Sequence, residues 1–277
     1  MNIILWHRLL APYELAVQEL VLKLNHIRKE YAEHNLYCPI HEVVGRVKSI
    51  SSIMEKVNRK NIPMEKLEEQ IEDIAGIRIT CQFQEDIDQI VQMIDSRSDM
   101  IIKQKKDYIM HHKESGYRSY HLIVYYTVET YEGIRRVQAE LQIRTMAMDF
   151  WATIEHSLQY KYKEKIPPQV RERLAKAADA VVSLDNEMSA IREEIVDAQL
   201  SSQMKYRLVS DILNTIENLY PLANEREIKK IQNEFYQIYS LSDMDELRHF
   251  HEQLDIIAEG YRAQSVQQGD WEGKKYR

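Results

Sequence analysis

The stretch Val137-Gln-Ala-Glu140-Leu-Gln142-Ile-Arg144-Thr145-Met-Ala-Met-Asp149-Phe-Trp-Ala-Thr-Ile-Glu-His156 decides how this chain is read. Its first half alternates: Val137, Ala139, Leu141 and Ile143 are apolar, whereas Gln138, Glu140, Gln142 and Arg144 are polar. That is the period of a half-buried strand, so a carboxylate, amides and a guanidinium share one face. Thr145 is placed as an N-cap, after which Met148, Trp151, Ile154, Glu155 and Leu158 follow the spacing of a helix. A strand that ends in polar side chains and passes into a helix can form one wall of a nucleotide pocket.

Working outward, residues 99–109 and 122–128 read as strands, with Lys103, Lys105 and Lys106 on the first. Between them, His111 to His121 forms a loop in which Gly116 sets Tyr117 at a strand entrance, with Ser119 and His121 beside it. An aromatic flanked by cations is a candidate platform for base stacking. His111 and His112 are adjacent in an extended segment and point apart, which argues against a metal pair. Upstream, Ile77, Ile79 and Cys81 alternate with Arg78 and Thr80 in a strand entered from Asp73, and 84–97 reads as a helix. An Asp at a sheet edge suits a hard cation such as Mg²⁺, and equally a turn cap.

Gly45 to Lys60 carries five Lys/Arg against the single Glu55 in a chain of net charge −7. Ile50, Ile53, Met54 and Val57 mark the buried stripe of a helix there, and Ser49, Ser52, Lys56 and Arg59 fall on another face. This is either a solvated basic face or a triphosphate site near a helix N-terminus. From Pro12 to about His34 an amphipathic helix is expected, with Pro12 in its first turn. Glu65 to Gln70 reads as a short helical turn after Pro63.

With 277 residues and 44% apolar content, the chain can bury a good core. Its acidic balance argues against a general nucleic-acid coat. Cys38 and Cys81 cannot build a disulfide framework, which fits a reducing cytoplasm. No signal peptide is read at the N-terminus, and no apolar run approaches the roughly 18 residues of a membrane span. The expected fold is α/β, a mixed central sheet flanked by helices. Beyond Pro167-Pro168 helices are expected over 168–198, 202–219, 224–240 and 243–259.

Several ordered motifs together resemble the synthetase domain of RelA/SpoT-type proteins, most closely the stand-alone small alarmone synthetases. They are Arg46-Val-Lys48-Ser49 with Lys56, Asp73 before Gly-Ile-Arg78, Lys113-x-x-Gly-Tyr117-x-Ser119-x-His121, and Glu140-x-Gln142-x-Arg144-Thr145 followed by Met-Asp149-Phe-Trp-Ala. The resemblance spans roughly residues 10–200. It implies a nucleotidyltransferase-like fold and a cytoplasmic pyrophosphokinase that moves pyrophosphate from ATP to the 3′-hydroxyl of GDP or GTP. The resemblance casts Arg46 and Arg78 around adenine, and Lys48, Ser52 and Lys56 on the triphosphate. Asp73 and Glu140 resemble the Mg²⁺ ligands, Glu140 also activating the 3′-hydroxyl. Tyr117 resembles the guanine platform, Lys113 and His121 stand near the acceptor phosphates, Gln142 orients the acceptor, and Asp149 lies beside the guanine edge.

The resemblance further implies a homo-oligomer, a tetramer in compact relatives. Glu114-Ser115 stands where related proteins often carry Pro-Asn, and Ile40 to Val44 differs from the segment that one subgroup uses for alarmone regulation. No His-Asp dipeptide occurs, so a synthetase without a hydrolase part is expected. The expected division is an N-terminal helix over 1–36, a catalytic core over 37–165 ending near Tyr162, a helical region over 166–262 and a flexible tail over 263–277. Two other readings compete: a toxin-type relative that pyrophosphorylates the 3′ end of tRNA, and an inactive nucleotide sensor. The mixed or acidic charge of 179–199 weighs against a tRNA surface.

Overall fold

The computed structural model describes residues 3–161, 167–241 and 243–272. It divides into two compact units, Met1–Ile191 and Arg192–Arg277.

The first unit opens with helix α1 (Ile3–Glu33). Trp6, Leu10, Tyr13, Val17, Leu20 and Leu24 recur at three- and four-residue steps and are all buried. Pro12 lies inside α1 rather than in its first turn. The apolar residues ahead of it extend the helix, and burial of Trp6 and Leu10 offsets the hydrogen bond that proline removes. Strand β1 (Glu42–Val47) follows and was not expected from the sequence. Helix α2 (Ile50–Lys60) starts at Ser49, whose Oγ accepts the Ser52 N–H at 3.3 Å, and it buries Ile53 and Val57 while Ile50 stays exposed.

A 3₁₀ turn (Met64–Lys66) and α3 (Leu67–Gln70) lead to β2 (Ala75–Cys81), α4 (Glu85–Asp95), β3 (Met100–Asp107), β4 (Tyr120–Thr130), β5 (Gly133–Thr145) and α5 (Met146–Lys161). Thr145 caps α5 as expected, its Oγ1 accepting the Met148 N–H at 3.0 Å. The boundary read near Tyr162 lies outside the described residues.

The five strands form one mixed sheet in the order β1-β2-β5-β4-β3, with β2 and β5 parallel and every other pair antiparallel. On β5, Val137, Ala139, Leu141 and Ile143 are all at most 2% exposed, so the alternation read from the sequence is the sheet's division into faces. The apolar face joins α1 and α4 in one core with Ile77, Ile79, Leu122 and Val124. The polar face carries the functional groups described below.

Helix α6 (Pro168–Leu219) runs without the break expected around 199–201. Its part from Arg192 onward belongs to the second unit, with α7 (Glu225–Leu241) and α8 (Met244–Glu272). That unit has its own core, in which Ile212, Ile216, Phe235, Leu247, Phe250 and Leu254 are buried. Helix α8 passes Gly260 into the segment read as a tail, and 273–277 lie outside the described residues. Among the described residues no helix is long and apolar enough to cross a membrane.

Gly45 sits where β1 meets α1. A Cβ there would stand 2.6 Å from both Val17 Cγ1 and Val21 Cγ2, and β-branched side chains cannot swing away. Gly45→Ala should therefore cost about 1–3 kcal/mol in denaturant unfolding. The Val21→Ala background should recover part of that loss.

Candidate active site

Pairing in the sheet assembles the polar face. The parallel β2–β5 register sets Gly76 against Glu140 and Arg78 against Gln142. The β1–β2 ladder sets Val44 against Arg78 and Arg46 against Gly76. On the other side, His121 of β4 lies opposite Gln142, and Lys106 of β3 lies opposite His121. These residues line one cleft of about 730 Å³, walled by α2 and α5 and by the loop carrying Lys113 and Tyr117.

Four carboxylates line the cleft: Glu72, Asp73, Glu140 and Glu155. Asp73, just ahead of β2, accepts from Lys48 Nζ and from Lys56 Nζ, each at 2.8 Å and each on a different oxygen. Burial alone would raise its pKa, but the two lysine hydrogen bonds outweigh burial and hold it below the usual carboxylate range. Glu140 meets His121 Nδ1 at 2.9 Å with Oε1 and accepts from Gln142 Nε2 at 2.7 Å with Oε2. Burial again pushes upward and is overcome, here by His121 and Gln142, so this carboxyl is also held low. The Asp73 charge opposes that lowering, so the two carboxylates feel each other across the cleft.

Around Tyr117 the cleft is aromatic and cationic. Tyr117 OH lies 2.9 Å from His121 Nε2, and its ring packs edge-on to the His121 imidazole and to Tyr108. Lys113 Nζ stands 4.6 Å from the Tyr117 ring centroid and 4.9 Å from that of Tyr108. Burial pushes the Lys113 ammonium down from its ordinary value, against the pull of Glu140 and Glu155. Gly116 adopts φ +88° and rests on α6, where a Cβ would come 2.5 Å from Ala178 Cβ. Only glycine fits both that angle and that approach.

Ten of the twelve residues singled out in the sequence line the cleft: Arg46, Lys48, Lys56, Asp73, Arg78, Lys113, Tyr117, His121, Glu140 and Gln142. Ser52 and Asp149 are outside the lining. Ser52 lies in the first turn of α2, where its Oγ accepts from Ser49 Oγ at 2.9 Å. Asp149 stands behind the lining, its Oδ1 3.1 Å from Arg144 Nη1 and 3.3 Å from Arg78 Nη1.

Sequence reasoning gave no role to Arg144, which is buried and binds Tyr117, Gln142, Ser119 and Asp149 together. The alternation had placed it on the correct face. Glu72 was also missed: it accepts from Lys103 at 3.2 Å and from Lys106 at 2.6 Å. The irregularity between Ile102 and Gln104 accommodates Lys103, which also donates to Gln138 Oε1. No short-range pattern shows a pair that is some thirty positions apart in sequence.

Among the described residues no cluster of three His, Cys, Asp or Glu side chains could hold a metal. Of the carboxylates lining the cleft, Glu72 is engaged by Lys103 and Lys106, whereas Asp73 and Glu140 act on each other across it. Two carboxylates fit a cation that completes its shell with phosphate oxygens and water, as Mg²⁺ does.

A sheet face that gathers cations, carboxylates and an aromatic cluster in one cleft suits a phosphorylated nucleotide. Residues 45–165 match the family model described as the region found in RelA/SpoT proteins. The chain is 50% identical over 200 residues to GTP pyrophosphokinase YjbM of Bacillus subtilis, a match covering 72% of this chain and 94% of that protein. The crystal structure of small alarmone synthetase 1 from Bacillus subtilis bound to its product pppGpp superposes with TM-score 0.67 at 51% identity, covering 69% of this chain and 97% of that one. A structure of the same synthetase bound to AMPCPP superposes with TM-score 0.61 at 46% identity, covering 69% and 97%. This chain belongs to the RelA/SpoT family.

The Asp73 clamp has a measurable pH signature. Its folded-state pKa is depressed, so the stability it contributes is full above its unfolded pKa, near 4, and is lost as pH falls through the folded value. Asp73→Asn should lose about 1–3 kcal/mol at pH 7. In thermal melts the gap from the parent should close below about pH 4.

Proposed function

We infer that this chain is an Mg²⁺-dependent GTP pyrophosphokinase that makes the alarmones ppGpp and pppGpp. The 3′-oxygen of GDP or GTP attacks the β-phosphorus of ATP, and the bond from that phosphorus to the α,β-bridging oxygen breaks. AMP leaves, and the 3′-hydroxyl proton passes to Glu140. The observation that carries the reading is Asp73 and Glu140 in one cleft between a cationic wall and Tyr117, in a chain 50% identical to a GTP pyrophosphokinase.

Phosphoryl-type transfer leaves the protein to position the reactants and neutralise charge. Arg46 and Arg78 flank the adenine. Lys48 and Lys56 receive the triphosphate, exchanging their bonds to Asp73 for phosphate oxygens, and Ser52 supports the first turn of α2 beside them. Asp73 and Glu140 hold Mg²⁺, which when bound neutralises phosphate charge in the transfer. Tyr117 stacks on guanine, while Lys113 and His121 meet the acceptor phosphates. Gln142 keeps Glu140 oriented toward the acceptor. Asp149, through the oxygen not shared by Arg144 and Arg78, accepts from the guanine edge.

Residues 37–165 provide the catalytic groups, and the helical region beyond them serves in assembly. Leu22 of α1 is 71% exposed, and Leu184, Met188 and Ile191 of α6 are 50%, 41% and 41% exposed at three- and four-residue steps. Such faces favour a cytoplasmic homo-oligomer, a tetramer on the resemblance to compact relatives. Light scattering should give a multiple of 33.0 kDa at micromolar concentration, and a monomer would contradict assembly.

One reaction tests the chemistry: purified protein, ATP, Mg²⁺ and GDP or GTP in parallel, resolved by anion exchange. AMP should appear with a more highly charged guanosine nucleotide, and Glu140→Gln should cut the rate by about 100-fold or more. Asp149→Ala should admit adenosine acceptors that the parent rejects. Untouched ATP would overturn the reading. Product appearing only when tRNA is added would assign the tRNA activity instead.

A further inference from the structure

Glu140 is held by a closed circuit of side chains. Arg144 Nη2 donates to Tyr117 OH at 2.6 Å and to Gln142 Oε1 at 2.7 Å. One arm continues from Tyr117 OH to His121 Nε2 and from His121 Nδ1 to Glu140 Oε1, each at 2.9 Å. The other continues from Gln142 Nε2 to Glu140 Oε2 at 2.7 Å. The two arms leave one guanidinium and end on the two oxygens of one carboxylate.

The chemistry of the end groups orients both ends of the circuit, and a neutral imidazole at His121 orients the middle. Arginine only donates, and an ionised carboxylate only accepts. Tyr117 oxygen receives the Arg144 N–H, and toward a neutral imidazole it gives its own hydrogen to His121 Nε2. His121 then carries its hydrogen on Nδ1 and gives it to Glu140. Gln142 receives with its oxygen and gives with its nitrogen. Arg144 is in turn fixed by Asp149 on Nη1 at 3.1 Å and by Ser119 Oγ on Nε at 3.2 Å. Ser119 is fully buried and donates to Ile143 O at 3.2 Å. Nothing in this frame turns without breaking several hydrogen bonds.

We propose that Arg144 is a positioning residue for the transfer step, aiming the Glu140 carboxylate through the Tyr117–His121 arm and the Gln142 arm. This rests on the reading above, in which Glu140 takes the 3′-hydroxyl proton. It gives Tyr117 a second task. Its ring serves stacking, while its hydroxyl is a link in the circuit. It also explains why a guanidinium occupies the position: a lysine keeps the charge but cannot fork to Tyr117 and Gln142 from one planar group while holding Ser119 and Asp149.

Tyr117→Phe keeps the ring and the packing and removes the link. It should lower kcat about 10- to 100-fold, a part of what a general base supplies, with KM for GDP within about 3-fold of the parent. Arg144→Lys should do the same or more. The double variant should fall no further than Arg144→Lys within about 3-fold, because both changes break one circuit. Independently of turnover, ¹⁵N spectra of histidine-labelled protein without nucleotide should show His121 protonated on Nδ1 with Nε2 accepting. The His121 signal is assigned by its loss in His121→Gln, and Tyr117→Phe should shift it toward the Nε2–H form. Parent kcat in Tyr117→Phe, a change confined to KM, losses that multiply, or an Nε2–H imidazole in the parent would each overturn the proposal. A parent that makes no product from ATP and GDP would instead overturn the functional reading, and the proposal with it.

Discussion

The parallel pairing of β2 with β5 is the constraint on which the rest of the site depends. Strand side chains alternate between faces, so a slip of one residue would send Glu140 and Gln142 into the apolar core and expose Leu141 and Ile143. Ile77, Ile79, Leu141 and Ile143 are at most 1% exposed, and their burial fixes the register strongly. The same register brings Arg78 beside Gln142 and Gly76 beside Glu140, and Asp73, just ahead of β2, lines the same cleft. Burial on one face thus sets the chemistry on the other.

Charge is handled locally, which reconciles an acidic chain with an anion-binding cleft. The net charge is −7, yet the cleft is lined by Arg46, Lys48, Lys56, Arg59, Lys60, Lys106 and Lys113. Several of its cations are already matched: Lys48 and Lys56 by Asp73, Lys106 by Glu72, and Arg78 by Asp149. Partly buried like charges would otherwise repel one another and resist desolvation. A polyphosphate entering such a site replaces carboxylates as the partner of existing cations. It meets side chains already ordered, so less conformational entropy is lost on binding.

What the sequence made legible follows from the range of each signal. Strand β5 and the cap at Thr145 were readable because alternation and capping act over a few residues. Lys56, Asp73, Tyr117, His121, Glu140 and Gln142 stood out from local patterns, and the resemblance joined them with Arg46, Lys48, Arg78 and Lys113 in one site. Strand β1 was missed because Gly45 and the basic run after it look like a break. Yet Gly45 is there because α1 presses on the strand, a fact about packing between separate elements. Pro12 misled for a similar reason, since the burial of Trp6 and Leu10 overrides its local preference. The break expected over 199–201 is absent, because a residue such as Ser201 is tolerated in a helix interior. Arg144 was visible as a position and invisible as a hub, because three of its four partners, Tyr117 and Ser119 in the loop before β4 and Asp149 on α5, lie outside its own strand.

The long-range contacts also say where the structural core of the synthetase lies. The sequence puts a break at Pro167-Pro168, and a division there looks natural. Among the described residues several bonds and contacts cross it, one of them from Ser189 Oγ to Glu85 of α4 at 3.0 Å. Trp151 Nε1 donates to Leu174 O at 3.1 Å, and Thr145 Oγ1 donates to Asp185 at 2.8 Å. Arg118 meets Asp179 at 3.5 Å, and Gly116 is seated on Ala175 and Ala178. Apart from Glu85, the near-side partners belong to the loop bearing Tyr117, the cap of α5 and the helix that carries Asp149. The compact unit accordingly continues to Ile191. Asp185 is 4% exposed, and burial raises its carboxyl against the pull of the Thr145 hydrogen bond, an arrangement that tolerates little displacement of α6. The first turns of α6 are therefore the backing of the acceptor site. A chain cut after 165 would keep the residues that bear the chemistry and lose the surface that holds their loop in place.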